Sequence, residues 1–172
     1  MTRTTGNKLP GTIRLAAFDI DGVFTDGRFY LSDDNVETKA FFTQDGFGIR
    51  RLLKSGIGVA VISGRNSRAV ELRMAELGVQ HVLQGVSDKV AALEGLLARL
   101  QLLPEQCVYT GDDVPDLPLL GYVGYSIAVA NAVREVKDAC DYTTRHPGGH
   151  GAVREVCDLI LSRENPPPVH EK

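Results

Sequence analysis

The chain is expected to fold as a doubly wound α/β protein around a mainly parallel, Rossmann-like sheet. Three observations lead there. Apolar runs of strand length alternate with stretches of helical period, which is the pattern of β-α-β units. The first apolar run, Ile13–Phe18, empties into Asp19-Ile20-Asp21-Gly22, and ligands bind at the carboxyl ends of strands in open parallel sheets. The 172 residues suit one domain able to bury roughly 70% of its unfolded surface, with an ordered core over 11–164.

In chain order, the expected strands are Ile13–Phe18, Ile57–Ile62, Val79–Leu83, Gln106–Thr110, Tyr125–Val129 and a short Asp141–Thr143. Helical period places helices near Phe47–Ser55, Ser67–Leu77, Asp88–Gln101, Asp116–Leu120, Ala132–Ala139 and Ala152–Arg163. Val90, Leu93, Leu97 and Leu100 form a single apolar stripe on the third helix, a core-facing pattern, with Ser87 as its expected N-cap. Gly56 and Gly78 stand where left-handed residues would end two other helices. One segment breaks the alternation. Arg28–Leu31 and Lys39–Thr43 flank the polar cluster Ser32-Asp33-Asp34-Asn35, so a β-hairpin is expected within 24–43. It is too small to act as a cap domain. The charged, Gly- and Pro-containing ends, Met1–Gly11 and 165–172, are expected to be mobile.

Composition narrows the function classes. Hydrophobic residues make up 43% and charged residues 24%, ordinary globular values, and a net charge of −3 gives no electrostatic reason to expect nucleic acid. No long apolar stretch follows the first charges, so neither a signal peptide nor a membrane span is expected. Cys107, Cys140 and Cys157 are widely spaced and odd in number, fitting neither a disulfide framework nor a zinc knuckle. Reduced thiols and a cytoplasmic location follow. His146 and His150, around Pro147-Gly148-Gly149, are read as a solvated loop rather than a metal site.

The chemistry lies in four signals held in one phase. Asp19 and Asp21 stand two apart on extended chain; such carboxylates repel unless a cation lies between them or one holds a proton. That implies a hard metal such as Mg²⁺ or divided roles as nucleophile and acid. Ile62-Ser63-Gly64-Arg65 ends the second expected strand, where the Ser63 hydroxyl and nearby amides can donate to phosphate. Lys89 opens a helix, unhelpful to its dipole but useful as a point charge against a phosphoryl group. Gly111-Asp112-Asp113-Val114-Pro115-Asp116 then places three carboxylates after the fourth expected strand. Together these indicate phosphoryl transfer.

This order resembles the four motifs of the haloacid dehalogenase-like phosphohydrolases, from Leu15 to Leu161. Phe18 to Gly27, the hairpin, Asp45-Gly46-Phe47-Gly48-Ile49, Gln84 to Lys89 and Gly148 to Asp158 are similar to the 3-deoxy-D-manno-octulosonate 8-phosphate phosphatases. That family is a capless, tetrameric branch serving lipopolysaccharide synthesis. The resemblance implies Asp19 as nucleophile and Asp21 as general acid/base. It implies Mg²⁺ on the Asp19 carboxylate, the Asp21 carbonyl and Asp112, with Ser63 and Lys89 on the phosphoryl oxygens. Asp113 or Asp116 would support the metal or Lys89. Asn131 stands where an aspartate is expected.

Without a cap, a neighbouring subunit must cover the site. The hairpin, with Phe29, Phe41 and Phe42, is the expected oligomer contact. Gly148-Gly149-His150-Gly151 is a loop that could meet a neighbour's site. Arg65, Arg145 and Arg154 are the candidates for a sugar acid's carboxylate, with Gly64 beside the phosphate. Three other readings stand beside this one. A phosphatase for a nine-carbon, sialic-acid-like phosphate differs only in its loops. A phosphoacceptor receiver module would carry its aspartate alone on a central strand, without an Asp-x-Asp pair. A silent assembly protein would not need every motif position filled.

Overall fold

The computed structural model describes residues 11–164; the stretches expected to be mobile, apart from Gly11, lie outside them. β1 (Leu15–Phe18) leads through a turn into a hairpin of β2 (Tyr30–Leu31) and β3 (Glu37–Thr38). There follow α1 (Thr43–Lys54), β4 (Gly58–Ile62), α2 (Arg68–Leu77), β5 (His81–Leu83) and α3 (Lys89–Leu100). The chain closes with β6 (Cys107–Gly111), α4 (Leu117–Tyr122), β7 (Tyr125–Ala128), α5 (Arg134–Ala139), β8 (Tyr142–Thr143) and α6 (Ala152–Glu164).

The main sheet has the order β5-β4-β1-β6-β7-β8, and every pairing in it is parallel. β1 is central, with Phe18 level with Val61 on one side and Thr110 on the other. All four of its residues are buried, because helices cover both faces of a parallel sheet; its sequence is therefore apolar without alternation. On α3, Leu93, Leu96 and Leu97 are buried and Val90 and Leu100 pack beside them, so the stripe faces the core. Its N-cap is Asp88, not Ser87: the helix begins one residue later than that reading needs, and the Asp88 carboxylate accepts from Ala91 N at 3.0 Å.

α1 begins at Thr43, a turn before the expected Phe47. Glycine is a poor helix former, but Gly46 and Gly48 permit close packing. A Cβ on Gly48 would lie 3.1 Å from Cys157 Sγ on α6. In the same turn, Asp45 accepts from Arg154 N at 2.8 Å, serving as a cap for α6 supplied by another helix.

The hairpin is shorter than expected. Tyr30 pairs with Thr38 and Leu31 with Glu37, whereas Lys39 to Phe42 leave the ladder. Lys39 turns inward to carboxylates, Phe41 packs against the core and Phe42 lines a cavity beside α6. The exposed apolar surface therefore belongs to Phe29, Tyr30, Leu31 and Val36, not to Phe41 and Phe42.

Candidate active site

The strand order reverses at β1. The chain steps outward from β1 to β4 and β5, then returns to lay β6 on the other edge of β1, opening a crevice at the carboxyl ends of both strands. Asp19 follows β1, Ser63 follows β4, Asp112 follows β6 and Lys89 opens α3. Asp19 N donates to Thr110 O at 2.9 Å, fastening the turn to β6. Its Oδ1 accepts from Ile20 N at 2.7 Å, and its Oδ2 faces Lys89 Nζ at 3.1 Å.

Lys89 is held from behind by Asp116. Nζ donates to Asp116 Oδ1 at 2.7 Å, and the buried Tyr109 hydroxyl donates to the same oxygen at 2.7 Å. Asp116 Oδ2 accepts from Asp112 N at 3.0 Å and Asp113 N at 3.4 Å. One buried carboxylate thus orients both the lysine and the acidic loop. Asp113 instead bonds Val114 N at 2.8 Å and is exposed; of the two candidates, Asp116 is the one in contact with Lys89.

Asp19, Asp112 and Asp116 each offer an oxygen within 4.8 Å of the others. A single ammonium shares this space, so the cluster carries excess negative charge. Burial, then the charge of Asp116, raises the Asp19 carboxyl to about 6 against the opposing pull of Lys89. Burial, then Asp19 and Asp116, raises Asp112 to about 7. For Lys89 the two carboxylates outweigh burial, and its pKa is raised. Hard oxygen donors with uncompensated charge fit Mg²⁺.

A pH signature follows. Asp19 and Asp112 bind protons more tightly folded than unfolded, where 3.8 is their ordinary value. Their contribution to stability is therefore fully present below that value and declines as pH rises through about 6 and 7. A divalent cation offsets the loss, but protons compete with it at low pH. Thermal melts should show Mg²⁺ raising the melting temperature strongly near pH 8 and little near pH 5; an equal rise at both would count against binding at these carboxylates.

Gly22 closes the floor of the site. Its φ is +89°, and a Cβ there would lie 2.0 Å from Asp112 Oδ2. Gly22→Ala should cost about 1–3 kcal/mol of stability, read by denaturant unfolding, and weaken Mg²⁺ binding by calorimetry. Unchanged affinity would separate this glycine from the metal site. Asn131 joins the same turn to a distant loop: Nδ2 donates to Gly22 O at 3.4 Å and Oδ1 accepts from Gly148 N at 2.6 Å. An aspartate could not donate there, which accounts for the amide at this position.

The remaining expected residues divide into two groups. Ser63 is buried, and its Oγ accepts from Arg65 N at 3.2 Å, leaving the hydroxyl proton free to donate; Gly64 is exposed between them. Asp21 lies outside the acidic cluster. Its carboxylate meets Lys39 Nζ on one oxygen and Arg65 Nε, at 3.7 Å, on the other. Arg145 and Arg154 instead line a cavity of about 600 Å³ with Phe42, Tyr142 and His150, a lining that includes none of the site aspartates. Arg154 is engaged there by Asp158 at 2.8 Å and by the ring of Phe47. His146 is taken up by Glu155 at 2.8 Å.

Residues 80–156 match the family described as haloacid dehalogenase-like hydrolase. The 3-deoxy-D-manno-octulosonate 8-phosphate phosphatase of Yersinia pestis is 50% identical over 149 residues, 87% of this chain and 80% of the relative. A crystal structure of that phosphatase from Yersinia pestis aligns over the same shares with a TM-score of 0.85. The Moraxella catarrhalis phosphatase of the same name, solved in complex with magnesium ion, phosphate ion and a KDO molecule, is 45% identical. Its alignment covers 87% of this chain and 86% of that one, at a TM-score of 0.85. The cobalt-bound deoxy-D-mannose-octulosonate 8-phosphate phosphatase of Haemophilus influenzae is 37% identical, with 94% of each chain covered and a TM-score of 0.88. With half of its aligned residues shared along most of both chains, and with the acidic cluster at the switch point of the same fold, the chain belongs to the 3-deoxy-D-manno-octulosonate 8-phosphate phosphatase family of the haloacid dehalogenase-like hydrolases.

Proposed function

We propose that the protein hydrolyses 3-deoxy-D-manno-octulosonate 8-phosphate to the free sugar acid and inorganic phosphate, in the formation of lipopolysaccharide precursors. The observation that carries this reading is the run Asp19–Lys89–Asp116 beside Asp112 at the switch point. The carboxylates of Asp19 and Asp112 and the carbonyl of Asp21 would hold Mg²⁺, which would supply positive charge against the phosphoryl oxygens. Asp19 Oδ2 attacks phosphorus in line and forms an aspartyl phosphate, while the bond from phosphorus to the sugar oxygen breaks. Asp21 gives its proton to that departing oxygen. It then takes a proton from the water that attacks phosphorus, and phosphate leaves Asp19 as a free carboxylate. Lys89 and the Ser63 hydroxyl hold the phosphoryl oxygens, and the Gly64-Arg65 turn borders them.

Arg65, Arg145 and Arg154 are the candidates for the substrate's carboxylate: Arg65 lies beside Asp21, and Arg145 and Arg154 enter only through a subunit contact. The reading includes a single phosphatase domain without a cap, working as a homotetramer in the cytoplasm. No helix among the described residues is long and apolar enough to cross a membrane. The exposed Tyr30, Leu31 and Val36 support a hairpin-mediated assembly. Combining Leu31→Ser with Val36→Ser should give smaller species by light scattering, with weaker preference for the sugar phosphate over an aryl phosphate. A fully active, equally selective wild-type monomer would reject the assembly.

The substrate is tested by phosphate release across a panel of phosphorylated sugars. The eight-carbon acid sugar phosphate should give the highest kcat/KM, and a chelator should remove the activity. Faster turnover of a nine-carbon acid sugar phosphate would reassign the substrate, and no release from any ester would overturn the reading.

A further inference from the structure

We infer that Lys39, at the base of the hairpin, is the positioning residue for the acid/base carboxylate of Asp21. The inference rests on the reading of Asp21 given above. The Lys39 side chain is fully buried, with 0% exposure, a rare state for lysine unless it is paired. Its Nζ bonds Asp21 Oδ1, lies 3.7 Å from Glu37 Oε1 and stands 5.4 Å from the centre of the Phe29 ring.

The surroundings make this contact a fixed one. Glu37 is itself tied down, accepting from Arg65 Nη2 at 2.7 Å and from Ser67 Oγ at 2.5 Å. Arg65 stands over the same ring, 4.1 Å from the Phe29 ring centre. Removing Lys39 would leave the Asp21 side chain with only the longer contact to Arg65. The backbone beneath is pinned separately: Thr25 Oγ1 accepts from Gly22 N at 3.3 Å and Gly27 N at 3.2 Å. The turn thus sets where the Asp21 main chain lies, and Lys39 sets where its carboxylate points.

A positioning role differs from a structural one in its dependence on the leaving group. A sugar alkoxide is strongly basic and must be protonated as it departs, whereas an acidic phenol leaves without help. Lys39→Met keeps the length and removes the charge. The measurement is kcat/KM, which reports transfer to Asp19 and not the later hydrolysis, with the sugar phosphate and with p-nitrophenyl phosphate. For the sugar phosphate it should fall roughly 10²-fold, the scale of a misplaced catalytic group, while for the aryl ester it stays near the wild-type value. Equal losses on both esters would make Lys39 a structural support, and no loss on either would dismiss it; each overturns the inference. Asp21→Asn, run beside it, should show the same split. If that variant splits and Lys39→Met does not, only the present inference fails. If Asp21→Asn shows no split, or the wild type cleaves neither ester, the reading of the site fails and takes this inference with it.

Discussion

Asp19→Asn should release no measurable phosphate from 3-deoxy-D-manno-octulosonate 8-phosphate while keeping its fold. The expected loss is roughly 10⁴-fold or more, the scale seen when one member of a covalent catalytic unit is removed. An amide in this place cannot attack phosphorus, yet it is nearly the same shape and its oxygen can still accept from Ile20 N, where Asp19 Oδ1 now lies at 2.7 Å. The variant also relieves part of the charge crowding that raises Asp112, of which Asp19 is the second cause after burial. Its melting temperature without metal should therefore equal or exceed that of the wild type. Full turnover by a folded Asp19→Asn protein would remove the nucleophile assignment.

Asp21→Asn should separate metal binding from turnover. Its carboxylate is directed at Lys39 and Arg65 and not into the cluster of Asp19, Asp112 and Asp116; the ligand proposed there is its carbonyl, which an amide side chain leaves in place. Turnover of the sugar phosphate should drop roughly 10²–10⁴-fold, as for a missing general acid. Mg²⁺ affinity by titration should stay close to the wild type, whereas Asp112→Ala should lose it. Equal loss of affinity in the two variants would make the Asp21 side chain a ligand and its acid/base role wrong.

The residues legible in the sequence are those whose meaning is local. A polar residue just past an apolar strand is visible in five or six residues, and Asp19, Ser63 and Asp112 stand at such ends, while Lys89 stands at the opening of a helix. The mainly parallel character of the sheet was legible for the same reason, since buried strands and amphipathic helices each carry their own period; the strand order was not read. What was not legible depends on contacts between distant segments. Lys39 followed a polar turn and read as strand, because nothing nearby in sequence announces that it will be buried against Asp21. Tyr109 fell within an expected strand, and it is buried there, but its hydroxyl also holds Asp116. The close packing that the glycines of α1 admit was not legible, because the helices they meet lie far along the chain. Arg154, expected near the substrate, is drawn away by Asp158 one turn later on its own helix. Asp116 differs: its type and place were readable, while its choice of Lys89 over the metal required the fold.

The most direct measurement is a search for the phosphoryl group on Asp19 itself. Asp21→Asn mixed with p-nitrophenyl phosphate and Mg²⁺ should form the aspartyl phosphate readily, because the phenol needs no proton, and break it down slowly, because the base is missing. Quenching in acid during turnover, followed by peptide mass spectrometry, should find a phosphoryl adduct on the peptide bearing Asp19 and none in the Asp19→Asn protein. Steady release of phosphate with no adduct at any time, or an adduct on another residue, would contradict covalent catalysis by Asp19.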